Sequence, residues 1–281
     1  MKRVLAYRAN RILYNFIKSN GIKGKAIVPA NLCNSVVDTL LLAGMSLEVV
    51  DISSVSLCVD ESTIIEKVRD ASVLFYVHTY GIEMDCTRFF STIRRISPRL
   101  IIIDDCCLCL PQLSLETSVA DLVLFSTCPK KQVDLGIGGI GYCSDHWYYS
   151  EVPVESNSIL TNNTWNPNFE NIKNRIKESV IHKSVLNSIY KTSLPTHIQL
   201  PDKFQNWRFN ISVPNKDVIL KSLFSMGLFA SSHYPSLSNQ CPIAINLQKS
   251  IINLFNDFYY SEEQAIQTCE VINNILKKEY D

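Results

Sequence analysis

The sequence predicts an α/β fold whose large sheet is mostly parallel and lies between helices. Three observations carry that expectation. Short apolar segments alternate with amphipathic ones through the first half of the chain. Several apolar segments, such as LIII and VLFYV, are hydrophobic at every position, as expected of strands covered on both faces. Strand, helix, strand repeated in this way also requires right-handed crossovers between parallel neighbours.

The expected strands are Val4–Tyr7, Ala26–Val28, Leu47–Val50, Val73–Val77, Leu100–Ile103 and Leu122–Phe125. Helices are expected near Arg11–Ser19, Ser35–Ala43, Ser62–Val68 and Asp85–Ile96. In the last of these, Phe89, Phe90, Ile93 and Ile96 recur at helical spacing. Ser144–Trp165 breaks the rhythm with Asn, Ser, Pro and aromatic residues and reads as an excursion or linker. Beyond it come a helix at Phe169–Tyr190, a strand at Phe209–Val213, a helix at Lys216–Met226 and a last helix from Glu262 to Lys278. Ser261 is the expected N-cap of that last helix. The organisation is a large α/β domain over residues 1–165, then a connecting helix and a smaller C-terminal α+β domain over 166–281.

The chain has 281 residues, of which 46% are hydrophobic, so it can bury a sizeable core. Lys plus Arg is 27 and Asp plus Glu is 27, and this balance lacks the basic surplus of a dedicated nucleic-acid binder. No apolar run reaches the ~20 residues of a membrane span. The start MKRVLAYRAN lacks the apolar stretch of a secretory signal. The ten cysteines therefore read as reduced and buried, and the expected compartment is the cytoplasm.

In such a sheet, ligands collect where strands end at their carboxyl side. Asp104 and Asp105 directly follow the buried run LIII. A carboxylate there is costly to desolvate unless a cation or donors meet it; the plain alternative is one Asp capping the next turn while the other faces water. The neighbouring CCLC cysteines lack a second ligand pair downstream, so no metal is expected. After the strand ending at Phe125 comes STCPKKQVDLGIGGIGY. Four of the nine glycines fall at positions 136, 138, 139 and 141 of that stretch. The cluster either lets backbone approach a ligand or makes a tight hairpin into a further strand; it is not a phosphate P-loop. Lys130 and Lys131 precede it. A lysine in apolar surroundings can lose its proton and attach covalently to a carbonyl compound. Together with Asp105 at the end of another strand, the lysine pair matches the needs of pyridoxal phosphate: a lysine for covalent attachment and a carboxylate for the pyridinium nitrogen. Ser126 is placed to join the phosphate donors.

These stretches resemble the DegT/DnrJ/StrS sugar aminotransferases of the aspartate-aminotransferase fold. The matching segments are GKAIVPANLCNSVVDTLLLAGMSLEVVDI, VHTYGIEMDC, LIIIDDCCLCL, DLVLFSTCPKKQVDLGIGGIGY, WRFNISVPNKDVILKSLFSMGLFASSHYPSL and PIAINLQKSIINLFNDFYYSEEQ, in family order over most of the chain. The resemblance implies that Asp105 is the pyridinium carboxylate, Lys131 the attachment lysine and Ser126 the phosphate-binding serine. The family's phosphate-binding S-G-T aligns with Arg8-Ala9-Asn10, where Arg8 or Asn10 remain possible donors at a helix start. The family's glutamine that contacts the ring oxygen aligns with Leu108, which has no polar group. Near Cys33, the usual ring-stacking aromatic is replaced. The chain starts at the first core strand of the family pattern. Asn162 and Asn163 are faint candidates for the family's partner-subunit asparagine. His233 and Tyr234 match the family's H-Y-P segment near the substrate entrance, with a structural role expected. His78, in VHTYG, is read as a packed histidine supporting its turn or as a substrate-side group. His146, His182 and His197 share no metal-ligand spacing, and His182 and Lys183 are expected on a solvated helix face.

The resemblance therefore implies a pyridoxal 5'-phosphate aminotransferase acting on a nucleotide-linked keto-sugar. Glutamate is the expected donor, surface-polysaccharide or glycosylated-metabolite synthesis the expected setting, and a homodimer the expected assembly. The other expectation is a degenerate relative, without the cofactor, that serves as a binding or regulatory protein.

Overall fold

A computed structural model describes residues 1–154, 160 and 163–277; Asn162 and Lys278, named above, lie outside the described residues. The strands of the main sheet are β1 (Lys2–Ala6), β2 (Gly24–Pro29), β3 (Met45–Val50), β4 (Val73–Val77), β5 (Ile101–Asp105), β6 (Leu122–Ser126) and β7 (Gly139–Cys143). They form one sheet in the order β1-β7-β6-β5-β4-β2-β3. Neighbours from β6 through β5, β4 and β2 to β3 pair parallel, whereas β7 runs antiparallel to both β6 and β1. The six expected strands are present, and the glycine cluster opens into the seventh.

Helices cover both faces, which is why the strands carry continuous apolar runs. On one face, α1 (Ala9–Ser19) and α2 (Asn34–Leu42) lie over Val73, Phe75, Ile101, Ile103, Leu122 and Leu124. On the other, α3 (Glu61–Ile64) and α4 (Thr87–Ile96) lie over Leu74, Tyr76, Ile102 and Val123. The period-two alternation of strand side chains thus assigns odd positions of β4 and β5 to the α1/α2 face and even positions to the α4 face. The helix expected over Ser62–Val68 is broken into α3 and a 3₁₀ turn at Lys67–Arg69. Thr63, Ile64 and Ile65 in succession lower helix propensity, and Lys67 pairs with Glu48 of β3 instead of continuing the helix.

Ser144–Trp165 contributes no regular element among its described residues. Next, α5 (Phe169–Ser193) starts where the Asn168 side chain accepts from the backbone N–H groups of Glu170 and Asn171. A second, antiparallel sheet follows, in the order β8 (Phe209–Ser212), β10 (Ile251–Leu254), β9 (Ala230–Ser231). It packs with α5, α6 (Lys216–Ser225) and α8 (Glu262–Lys277) around Leu186, Tyr190, Ile211, Leu223, Ile252 and Ile272. Ser261 caps α8 in a reciprocal box: its Oγ accepts from Gln264 N at 3.1 Å and its N–H donates to Gln264 Oε1 at 2.9 Å. The remaining helix, α7 (Pro242–Ser250), is tied to the main sheet, because Asp51 accepts from Ile243 N and Ala244 N at 2.9 and 3.0 Å. All ten cysteines are free. Among the described residues, no helix is long and apolar enough to cross a membrane.

The expectation for His182 and Lys183 is corrected. Lys183 is 6% exposed, and its ammonium donates to Trp207 O at 2.9 Å and to Asn256 Oδ1 at 2.7 Å. His182 is half-buried, with Nε2 2.9 Å from Asp257 O. Helix α5 carries little amphipathic periodicity to separate its faces, so both positions read as solvent-facing from sequence.

Candidate functional site

A cavity of about 560 Å³ opens where the parallel strands end at their carboxyl side. The residue at the end of each strand supplies its wall: Val77 from β4, Asp105 from β5 and Ser126 from β6, all facing α1 and α2. The first residues of α1 and α2 close that wall, with Arg8, Ala9 and Asn10 from the former and Cys33, Ser35 and Val36 from the latter. Both helices direct their N-terminal backbone N–H groups and positive dipole ends at one volume, an arrangement suited to an anion.

Asp105 is 6% exposed. Burial pushes its carboxyl pKa up, while a bond from Cys107 N at 2.9 Å and the positive charge of Lys131 act in the opposite sense. A further cation against this carboxylate would offset its desolvation. Lys131 and Lys130 both line the cavity. Their loop is clamped at many points. Thr127 Oγ1 donates to Ile137 O at 2.6 Å, Leu135 N to Thr127 O at 2.8 Å, and Lys130 N to Asp134 Oδ2 at 2.8 Å. Trp207 holds it from outside, its indole N–H donating to Lys130 O at 2.7 Å. Lys130 adopts φ 64°, a left-handed conformation uncommon for a residue with a Cβ, directly before Lys131. Such local strain persists only where surrounding contacts over-determine it.

The glycine cluster does not touch the cavity; within it, Gly139 approaches backbone at the start of α1. A Cβ there would lie 2.4 Å from Ala9 N and 2.5 Å from Arg8 C, so only glycine allows β7 to press against the start of α1. Of the two roles open from sequence, the hairpin into a strand is the one present. Ser126 is buried; its Oγ lies 3.3 Å from Gly138 O and accepts from Cys128 N at 3.3 Å.

Asn10 is in the wall, but its amide donates to Ser35 O at 2.8 Å and to Thr39 Oγ1 at 3.0 Å, tying α1 to α2. Polar donors at this end include the exposed Arg8 side chain, the Ser35 hydroxyl and the helix N–H groups. Leu108 and Cys33 line the cavity with apolar and thiol surface. Tyr234 also reaches it, brought over the mouth by the segment that Leu237 N anchors to Ala30 O at 2.8 Å. His233 does not line the cavity. It packs beside Trp207, its backbone N–H donates to Asn253 Oδ1 at 2.8 Å, and its carbonyl accepts from Tyr80 Oη.

His78 also lies outside the cavity, and the strand parity gives the reason. It continues the even positions Leu74 and Tyr76 onto the opposite face of the sheet. There its Nε2 is 2.9 Å from Asp104 Oδ1 and its Nδ1 2.8 Å from Ile82 O, so it packs under its turn on the side of the sheet away from Asp105 and Lys131. The two consecutive aspartates thus serve opposite faces. Asn163 is exposed. Asn31, two residues past the end of β2, carries no sequence signal of its own. It is 2% exposed, lines the cavity and has no partner for its Oδ1 among the described residues. Trp207 was missed as well, since no local pattern links it to the lysine loop.

No family profile and no curated protein sequence matches the chain. Solved structures do. A DegT DnrJ EryC1 StrS aminotransferase from Brucella abortus superposes with TM-score 0.72 at 15% identity, over 98% of this chain and 86% of that one. The sugar aminotransferase CalS13 from Micromonospora echinospora gives 0.73 at 13% identity, over 97% and 87%. NtdA from Bacillus subtilis, with bound cofactor PMP, gives 0.69 at 19% identity, over 97% and 74%. Over nearly its whole length, then, the chain has the fold of the DegT DnrJ EryC1 StrS aminotransferases.

Proposed function

We propose that the protein is a pyridoxal 5'-phosphate-dependent aminotransferase acting on a keto-sugar carried by a nucleotide, with glutamate as amino donor. The observation that carries this reading is the convergence of Asp105, Ser126, Lys131 and the start of α1 on one cavity of about 560 Å³. The residues fit the group. A buried carboxylate, an amine, a serine with backbone N–H groups at a helix start, and apolar walls from Val77 and Leu108 are the surfaces that a pyridinium, an aldehyde, a phosphate and a ring require.

Lys131 would hold the cofactor covalently, and Asp105 would keep its ring nitrogen protonated. When bound, the cofactor supplies an electron sink for a bond broken next to the amino nitrogen. Lys131 Nζ would also take the proton from the donor's α-carbon and return one, as general base and acid. Asp105, desolvated on its wall, acts through a fixed charge at the ring, a preorganised contribution worth several kcal/mol in comparable sites. Ser126 and the α1 start would seat the phosphate. The reading includes a homodimer, which sedimentation equilibrium tests.

Incubated with pyridoxal phosphate, the protein should turn yellow, and glutamate should convert the visible absorption to that of the pyridoxamine form. Lys131→Ala should show neither. A second reading, a binding or regulatory protein without cofactor, is favoured by Leu108 and by the commitment of the Asn10 amide to α2. Wild-type protein that stays colourless would decide for it.

A further inference from the structure

Within the reading of the protein as a pyridoxal-phosphate enzyme for a nucleotide-linked sugar, on which this rests, we propose that Asn31 determines sugar specificity. Its amide oxygen accepts a hydrogen bond from a hydroxyl of the sugar.

Hydrogen bonds inside the cavity wall settle which end of the Asn31 amide is which. One of its two terminal atoms lies 3.0 Å from Leu57 O and 3.3 Å from Thr79 Oγ1. Leu57 O is a carbonyl and only accepts. Thr79 Oγ1 spends its single proton on that same carbonyl, at 2.8 Å, so towards Asn31 it also only accepts. An atom that meets two acceptors is the donor Nδ2, and the other terminal atom is therefore Oδ1. The carbonyl that fixes this orientation is itself held in place. Leu57 adopts φ 56°, a left-handed conformation uncommon for a residue with a Cβ. Its turn is closed by Leu57 N donating to Ser53 O and Ser53 N donating to Cys58 O, both at 2.8 Å.

Oδ1 has no partner among the described residues, although Asn31 is only 2% exposed. The wall beside it is apolar, built from Leu32, Val36 and Val77. A buried acceptor costs free energy until a donor meets it, and the cavity is the side from which one arrives. Sheet order separates this group from those assigned to the cofactor. Asp105 and Ser126 end β5 and β6, whereas Asn31 follows β2, two strands across from β5 in the order β6-β5-β4-β2. That is roughly 10 Å at the usual strand spacing, on the half of the cavity left for a second molecule. An acceptor there takes an O–H and repels phosphate and carboxylate oxygens. A sugar supplies such hydroxyls on the carbons around its keto group.

Calorimetric titration of the full chain in its pyridoxamine phosphate form tests this. The probes are UDP-glucose, dTDP-glucose and the 2-, 3-, 4- and 6-deoxy analogues of whichever binds; none carries a keto group, so none reacts. One deoxy analogue should bind the wild type about fivefold to tenfold more weakly than its parent. Asn31→Leu should lose a similar factor for the parent and no longer distinguish parent from that analogue, a loss of selectivity that a purely structural role would not produce. Deoxy analogues that all bind the wild type as tightly as the parent would overturn the proposal, even if Asn31→Leu fails to fold. A folded Asn31→Leu that keeps the full discrimination would overturn it too, while leaving the cofactor chemistry intact. Wild type that stays colourless with pyridoxal phosphate, or turns yellow but binds neither glycoside, would instead remove the reading beneath the proposal and the proposal with it.

Discussion

Replacing Gly139 by Ala tests how the candidate site is assembled. The new methyl would lie 2.4 Å from Ala9 N, 2.5 Å from Arg8 C and 2.7 Å from Ala9 Cα. All three are backbone atoms, so no side-chain rotamer can relieve the overlap. Gly139 is moreover held in register between Ser126 of β6 and Ala6 of β1, which prevents the strand from backing away. Overpacking of this kind costs about 1–3 kcal/mol, and backbone against backbone places it at the upper end. At roughly 2–4 °C per kcal/mol for a chain of this size class, Tm should fall by about 6–12 °C. Gly136→Ala is the control. Its φ of 76° strains any Cβ, but nothing lies within 4 Å, so the expected loss is only about 1–2 kcal/mol. Differential scanning calorimetry compares the two. Because relief requires the start of α1 to move away from Ser126, Gly139→Ala should also bind pyridoxal phosphate at least tenfold more weakly. A Gly139→Ala protein no less stable than Gly136→Ala would refute the close packing of β7 on α1.

Other outcomes follow from buried polar groups. Burial lowers the Lys183 ammonium from its ordinary 10.5 to about 7, so between those values the unfolded chain holds a proton that the folded chain lacks. Stability should therefore rise with pH across that window, at up to ~1.4 kcal/mol per pH unit. Denaturant titrations of wild type against Lys183→Met from pH 7 to 8.5 isolate the slope, and equal slopes would contradict it. Arg208 pairs with Asp257 at 2.9 Å, with exposures of 2% and 10%. Arg208→Met strands the carboxylate and should cost about 3–5 kcal/mol in urea unfolding. Trp207→Phe keeps the ring but loses the indole bond to Lys130 O, so cofactor affinity should drop by about fivefold to tenfold in a spectral titration, at ~1 kcal/mol for the lost bond.

Much of this architecture is legible in the sequence because the large-sheet strands are covered on both faces and read as unbroken apolar runs. Strand β7 is the exception. GIGYC has little strand propensity of its own, and its glycines at 139 and 141 are fixed by what packs on them, Ala9 in one case and Ile12 with Val4 in the other. The small-sheet strand β10 and helix α7 likewise depend on partners distant in sequence, such as Asp51. At the site, Asp105 and Ser126 stand at strand ends and are found by that rule, whereas Lys131, five residues beyond β6, is picked out by the family resemblance. Strand parity decides which face each residue serves, and an error of one position separates Asp105 in the cavity from Asp104 beneath it. That parity is also why His78 reads from its turn as a substrate-side candidate yet sits with Cys106 and Cys109. Lys183 and Trp207 give no local signal, since their partners lie in other elements.

In the proposed reading one amine carries the coenzyme, and peptide mapping tests this most directly. Protein saturated with pyridoxal phosphate is reduced with borohydride, digested and sequenced by tandem mass spectrometry. The phosphopyridoxyl mass is expected on Lys131 at close to one per chain. Its appearance instead on Lys130 or Lys183, or scattered over surface lysines at low occupancy, would contradict the account.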